Sequence, residues 1–126
     1  MGGNVKLKHN FVPGTFNDVS EWLTSRGFEV DERVDIAPNT SVRLHKIGGR
    51  RAVTYTLYFT DILTLVSDGS IIVNSSNTSV TTKRRLNQFL QPLKCFVSCE
   101  KFIPHLSYNG KHMRLSNDID RVKLDA

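Results

Sequence analysis

The chain has 126 residues, 39% hydrophobic and 23% charged, with a formal net charge of +5 and a sequence pI near 9.5. That is the size and composition of one globular domain with a real core, which excludes a disordered or fibrous chain. No run approaches the roughly 18 apolar residues that span a bilayer. The first residues, Met1-Gly2-Gly3-Asn4-Val5-Lys6-Leu7-Lys8, lack the apolar segment of a secretory signal. The expected location is therefore the cytoplasm, with no membrane partner.

Residues 1–15 read as an N-terminal arm or edge strand. Thr15-Phe16-Asn17-Asp18 has the form of a capping box ahead of Val19, Trp22 and Leu23, and Gly27 is a natural stop. This predicts an amphipathic helix over 16–26, with Phe28 and Val30 returning as strand. Segment 31–40 reads as a loop ending in Pro38-Asn39. Residues 41–47 alternate imperfectly as a strand, Gly48-Gly49 turns the chain, and 51–60 alternate cleanly.

Ile62 to Val66 and Ser70 to Asn74 flank Ser67-Asp68-Gly69. A two-residue Asp-Gly loop of type I′ would set Val66 opposite Ile71, Leu65 opposite Ile72 and Leu63 opposite Asn74. A second helix starts near Thr81 or Thr82, with Leu86, Phe89, Leu90 and Leu93 on one stripe and Pro92 at its end. Strands over 94–103 and 106–115, joined around Pro104, follow, with a turn signal at Asn109-Gly110. The polar stretch 116–126 reads as a frayed tail. The expected fold is a single α+β domain, an antiparallel β-sheet with two short helices packed on it, centred on a hairpin–helix module at 53–93.

Lys83, Arg84 and Arg85 sit at the start of the second helix, where the backbone already carries partial positive charge. An anion is expected nearby. The internal candidate is Asp61, which strict alternation places on the face of Leu63 and Leu65, facing the helix start. There it would act as a structural brace through Thr81, Thr82, Lys83 or Arg85. The external candidate is a phosphate or an acidic partner. On a helical wheel Arg84 and Gln88 point outward. Arg50 and Arg51, with Arg43 and Lys46 just before them, form a second basic cluster, and Tyr55 or Tyr58 could add a stacking surface.

Cys95 and Cys99, four residues apart, would lie roughly 13 Å apart on a strand, too far for a disulfide. With His105 and His112 they could be imagined as a zinc site, but no C-x2-C spacing supports one. No cofactor is expected. Carboxylates are not clustered, and no P-loop, H-E-x-x-H or G-x-S-x-G occurs, so the chain reads as non-enzymatic.

Thr60-Asp61-Ile62-Leu63, Ser67-Asp68-Gly69, Val73-Asn74-Ser75 and Val80-Thr81-Thr82-Lys83-Arg84-Arg85-Leu86-Asn87 occur in that order. The order resembles a module of small bacteriophage-encoded proteins of uncharacterised function. It covers residues 54–93 and leaves out the first fifty. In that module an aromatic often follows a Gly-Gly after the turn serine, where this chain has Ser76-Asn77-Thr78. The resemblance implies a viral origin and a shared fold element, with no reaction attached. The function expected is nucleic-acid binding, to DNA or RNA, through Lys83, Arg84, Arg85, Arg50, Arg51, Arg43 and Tyr58. The alternatives are an inhibitor or adaptor occupying an acidic surface of a host protein, and a virion or assembly protein.

Overall fold

The computed structural model describes residues 4–77 and 79–124. The first three residues of the expected arm, Thr78 of the departing turn and the last two residues of the expected tail lie outside them. The fold is α+β, with two antiparallel sheets where one was expected. In chain order the elements are α1 (Phe16–Ser25), β1 (Val34–Ala37), β2 (Thr40–Ile47), β3 (Arg50–Leu57), β4 (Thr60–Val66) and β5 (Ser70–Asn74). Then come α2 (Val80–Leu90), a 3-10 turn (Gln91–Leu93), β6 (Cys95–Glu100), β7 (Ile103–Tyr108), β8 (Lys111–Arg114) and β9 (Ile119–Lys123). The main sheet runs β1-β2-β3-β4-β5-β9 and the second β6-β7-β8.

The first helix forms as its local chemistry dictates. Thr15 and Asp18 close a reciprocal capping box, and bonds from Gly27 to Thr24 and from Phe28 to Leu23 end the helix in a Schellman pattern. Both helices cover the same face of the main sheet. Tyr55 of β3 lies flat on Phe89 of α2, centroids 3.9 Å apart, and meets Phe11 edge-on, which in turn packs on Trp22 of α1. Val42, Leu44, Val53, Leu63, Leu65, Ile71 and Val73 complete this core.

Four sequence expectations are corrected. Asp68 keeps negative φ and only Gly69 is left-handed (φ +90°), so the loop has three residues: a turn closed by Gly69 N–H to Val66, followed by a bulge. The register moves by one, setting Leu65 against Ile71 and Leu63 against Val73, apolar against apolar. The Asp68 carboxylate holds this loop by accepting from both the backbone and the hydroxyl of Ser70.

Pro104 is not at a joint. It sits inside β7, and the chain reverses at Lys101-Phe102, both at positive φ. Residues 34–37, expected in a loop, form β1, closed on β2 by a turn at Pro38-Asn39. The expected frayed tail instead supplies β9, paired with β5 from Ser70↔Lys123 to Asn74↔Ile119 and burying Val122. Its composition is polar because one side of an edge strand faces water.

The Tyr55 hydroxyl is fully buried without a hydrogen-bond partner. An unpaired buried hydroxyl costs about 1–3 kcal/mol. Tyr55→Phe is therefore expected to leave stability unchanged or raise it by about 1 kcal/mol, read as an unchanged or higher urea midpoint.

Candidate nucleic-acid interface

The residues singled out by the sequence separate into three groups. Arg43 and Asp61 meet each other. Arg43 donates from both terminal nitrogens to the two Asp61 oxygens at 3.2 and 3.3 Å, and Thr56 donates to Asp61 at 2.7 Å. Asp61 therefore does not brace the start of α2. Between Tyr55↔Leu63 and Thr56↔Asp61, β4 carries one more residue than β3. That bulge turns Ile62 into the core and sends Asp61 to the outer face of the sheet, beside Thr56 and Arg43. Burial pushes the Asp61 carboxyl up, but hydrogen bonds from Arg43 and Thr56 and the charges of Arg43 and Arg33 outweigh it and hold the group low. On the same face His45 bonds Thr54, which bonds Thr64. Burial and the neighbouring Arg43 push the His45 imidazole down, against the opposing pull of Asp31 and Asp61.

Arg50, Arg51 and Arg85 are tied to structural tasks. Arg51 donates to Ser20 of α1 at 3.1 Å and lies over the Phe16 ring. Arg50 approaches Asp68 at 3.9 Å, but Asp68 is already held at 2.8 Å by Arg121 of β9. The Ser70 hydroxyl and N–H, and then Arg121, hold the Asp68 carboxyl far below the usual carboxylate range. Arg85 is only 8% exposed, and its Nε donates to Thr40 at 3.2 Å, locking α2 to the start of β2. Tyr58 is exposed, but it occupies the β3–β4 turn beside Phe59, eight residues or roughly 26 Å along the strand from Arg50. The two cannot share a small ligand.

Lys83 and Arg84 form the third group. The start of α2 is capped by Ser79, whose hydroxyl accepts from Thr82 N–H, and its first turn holds no acid. Thr81 and Thr82 line a cleft of about 390 Å³ with Thr60, Asn74 and Ser79, and no charged side chain lines it. Lys83 and Arg84 face elsewhere. Val80, Arg84, Asn87 and Gln91, spaced four, three and four apart, make one stripe along α2. This stripe and Lys83 form one wall of a groove of about 710 Å³, whose other wall is Lys94, Cys95 and Phe96, with Asn4 at the rim.

Two side-chain amides set that groove. Asn87 accepts from Val97 N–H at 2.7 Å and donates to Val97 C=O at 2.9 Å, holding the free edge of β6 beside the helix. Gln88, expected to point outward, is buried: it accepts from Val5 N–H at 3.0 Å and donates to Val5 C=O at 2.9 Å, pinning the arm. Lys94 takes a left-handed conformation at the end of the 3-10 turn, which swings Phe96 alongside α2.

Lys83, Arg84 and Lys94 thus converge on one groove, and none pairs with a carboxylate among the described residues. Sequence reading missed Lys94 and Phe96. The available signal was alternation: Cys95, Val97 and Cys99 share one face, which leaves Phe96 an aromatic among polar neighbours. Burial pushes the Cys95 thiol up to about 11, so at neutral pH it is protonated and poorly nucleophilic. The two cysteines face the core side of the second sheet and His105 and His112 its outer side, as the pairs Cys99↔Pro104 and Ser98↔His105 require. The four side chains cannot gather round one metal ion.

The groove can hold an anionic, partly flat ligand: three cations for negative charge, the N-terminal half of a helix behind two of them, and one exposed ring. Compared with models of protein families, with curated proteins and with solved structures, the chain matched none. No helix among the described residues is long and apolar enough to cross a membrane.

Asp61 and Asp68 both have carboxyls held below their unfolded value near about 4. Their contribution to stability is complete above that pH and is lost as pH falls through and below it. The urea midpoint is expected to drop on acidification below about pH 4, and less steeply in Asp68→Asn; equal slopes for both proteins would contradict the assignment.

Proposed function

We propose that the protein is a small phage-type accessory protein that binds nucleic acid inside the host cell and acts by binding rather than by catalysis. The observation that carries this reading is the convergence of Lys83, Arg84 and Lys94 on one groove, with no carboxylate among the described residues paired to them. Lys83 and Arg84 stand at the positive end of α2 and Lys94 lines the same groove, so like charges gather there, and an anion supplied from outside would relieve them. A phosphodiester backbone supplies one at each nucleotide. The order of motifs from Thr60 to Asn87 supports the phage-type assignment.

A second reading, an inhibitor or adaptor on an acidic host-protein surface, is favoured by the aromatic hairpin tips. Phe59 is 99% exposed and Phe102 93% exposed, with Tyr58 and Phe102 in left-handed conformations that bulky residues rarely adopt. Retention of a stoichiometric host protein after nuclease treatment, lost on Phe59→Ser, would support that reading.

For nucleic acid, fluorescence anisotropy against a labelled oligonucleotide over a salt series is the test. Lys83→Ala, Arg84→Ala and Lys94→Ala are each expected to weaken binding and to lower the slope of log affinity against log salt by about 0.7–0.9, with melting unchanged or slightly raised. Arg43→Ala and Arg85→Ala are expected to lower stability instead. Binding indifferent to the three groove variants would overturn the proposal.

A further inference from the structure

Phe96, at the end of the groove, also belongs to the outer face of the second sheet. In the second sheet Phe96 sits opposite Ser107, which sits opposite His112; one step along, Ser98 sits opposite His105, which sits opposite Arg114. Cross-strand partners share a face, so Phe96, His112, His105 and Arg114 lie together on the side turned away from the core. The side-chain geometry agrees. The His105 and His112 rings are 5.1 Å apart and tilted by 30°, and the Ser107 hydroxyl bonds His112 Nδ1 at 2.8 Å, fixing that ring. Phe96 is 54% exposed, and His112 and Arg114 are exposed as well. Arg114 lies next to His105, and Glu100, opposite Ile103, is the carboxylate at the far end.

Resting on the nucleic-acid reading of the groove, we infer that the ligand is single-stranded, and that its track continues from the α2 groove across Phe96, His112 and His105 toward Arg114. A duplex offers phosphates but keeps its base faces stacked inside. A single strand offers both, and unpaired bases stack on exposed aromatic and imidazole rings. Here the cations and the rings occupy successive positions. Lys83, Arg84 and Lys94 take the backbone, Phe96 stands at the junction, and the imidazoles follow on the next two strands, His105 on β7 and His112 on β8. One cation, Arg114, stands past the rings, and the surface turns acidic at Glu100, where a polyanion would leave it. A duplex-binding surface needs no exposed phenyl ring between its cations, and a protein-binding one needs no cations on both sides of a row of rings.

The test is the affinity of the full-length chain for a short labelled oligothymidylate and for a duplex of the same length at one salt concentration. The single strand is expected to bind more tightly. Phe96→Ala and the double variant His105→Ala/His112→Ala are each expected to weaken it by roughly 5- to 150-fold, with the salt slope unchanged because no phosphate contact is lost. Phe96→Trp should keep the affinity, and the histidine pair, being on an open face, provides a readout if Phe96→Ala fails to fold. Equal affinity for duplex, or ring variants that bind as the parent does while Lys83→Ala and Arg84→Ala still weaken binding, would overturn the track and leave the groove reading standing. Absence of salt-dependent binding to both probes would overturn both.

Discussion

An open strand edge is a row of unpaired backbone groups, and in the second sheet α2 meets that edge with one side chain. Asn87 supplies both a donor and an acceptor to Val97, as a neighbouring strand would. Gln88, the next residue, does the same for Val5 of the N-terminal arm. Losing either amide strands two backbone groups, at about 1–3 kcal/mol for each that is buried. The groove exists because the Asn87 side chain fixes the helix one side-chain length from β6, with Arg84, Asn87 and Gln91 along one wall and Lys94 to Phe96 along the other. Everything proposed about ligands depends on that spacing. Both amides belong to the segment that also carries Lys83 and Arg84, so one helix sets the shape of the site and part of its charge.

The distribution of charge follows from where the few carboxylates lie rather than from the net excess. Asp61 takes Arg43; Asp68 takes Arg121 firmly and Arg50 loosely. Arg51 is occupied by Ser20 and Phe16, and Arg85 is buried against Thr40. What remains beside α2 is a small set of cations brought together from two elements. A count of basic residues along the chain also gives weight to the Arg50-Arg51 tip, where Arg51 joins β3 to α1 and Arg50 reaches toward Asp68 of the β4–β5 loop. It gives none to Lys94, which matters only because the chain reverses there.

Much of the local structure was legible because it rests on short-range chemistry. The capping box at Thr15, the stop at Gly27, the alternation of β3 and the apolar stripe of α2 depend on residues within a turn or two of each other. Two features depend on pairing between strands and could not be read in the same way. Asp68-Gly69 fits either a two-residue or a three-residue loop, and the choice falls to whichever register sets Leu65 on Ile71. The bulge at Ile62 leaves no trace in periodicity over so short a strand, yet it moves Asp61 from the helix side to Arg43. The candidate site was half visible for a related reason. Lys83 and Arg84 stand out as a run, whereas Phe96 acquires meaning only from its position beside a helix and opposite Ser107.

The pairing of β9 with β5 bears on how the chain acquires this shape. β5 must keep one edge open while α2 and the whole of the second sheet are made, since its partner lies beyond them in sequence. The second sheet, built from two tight hairpins between consecutive strands, has no such wait. Local pairings form early and distant ones late, because loop closure is costly before contacts repay it. On a ribosome the groove side of the molecule would thus take form ahead of the main sheet's last seam. Until Val122 covers Ile71 and Arg121 reaches Asp68, the nascent chain carries an unfinished apolar edge, and that interval is when it is most exposed to misassociation.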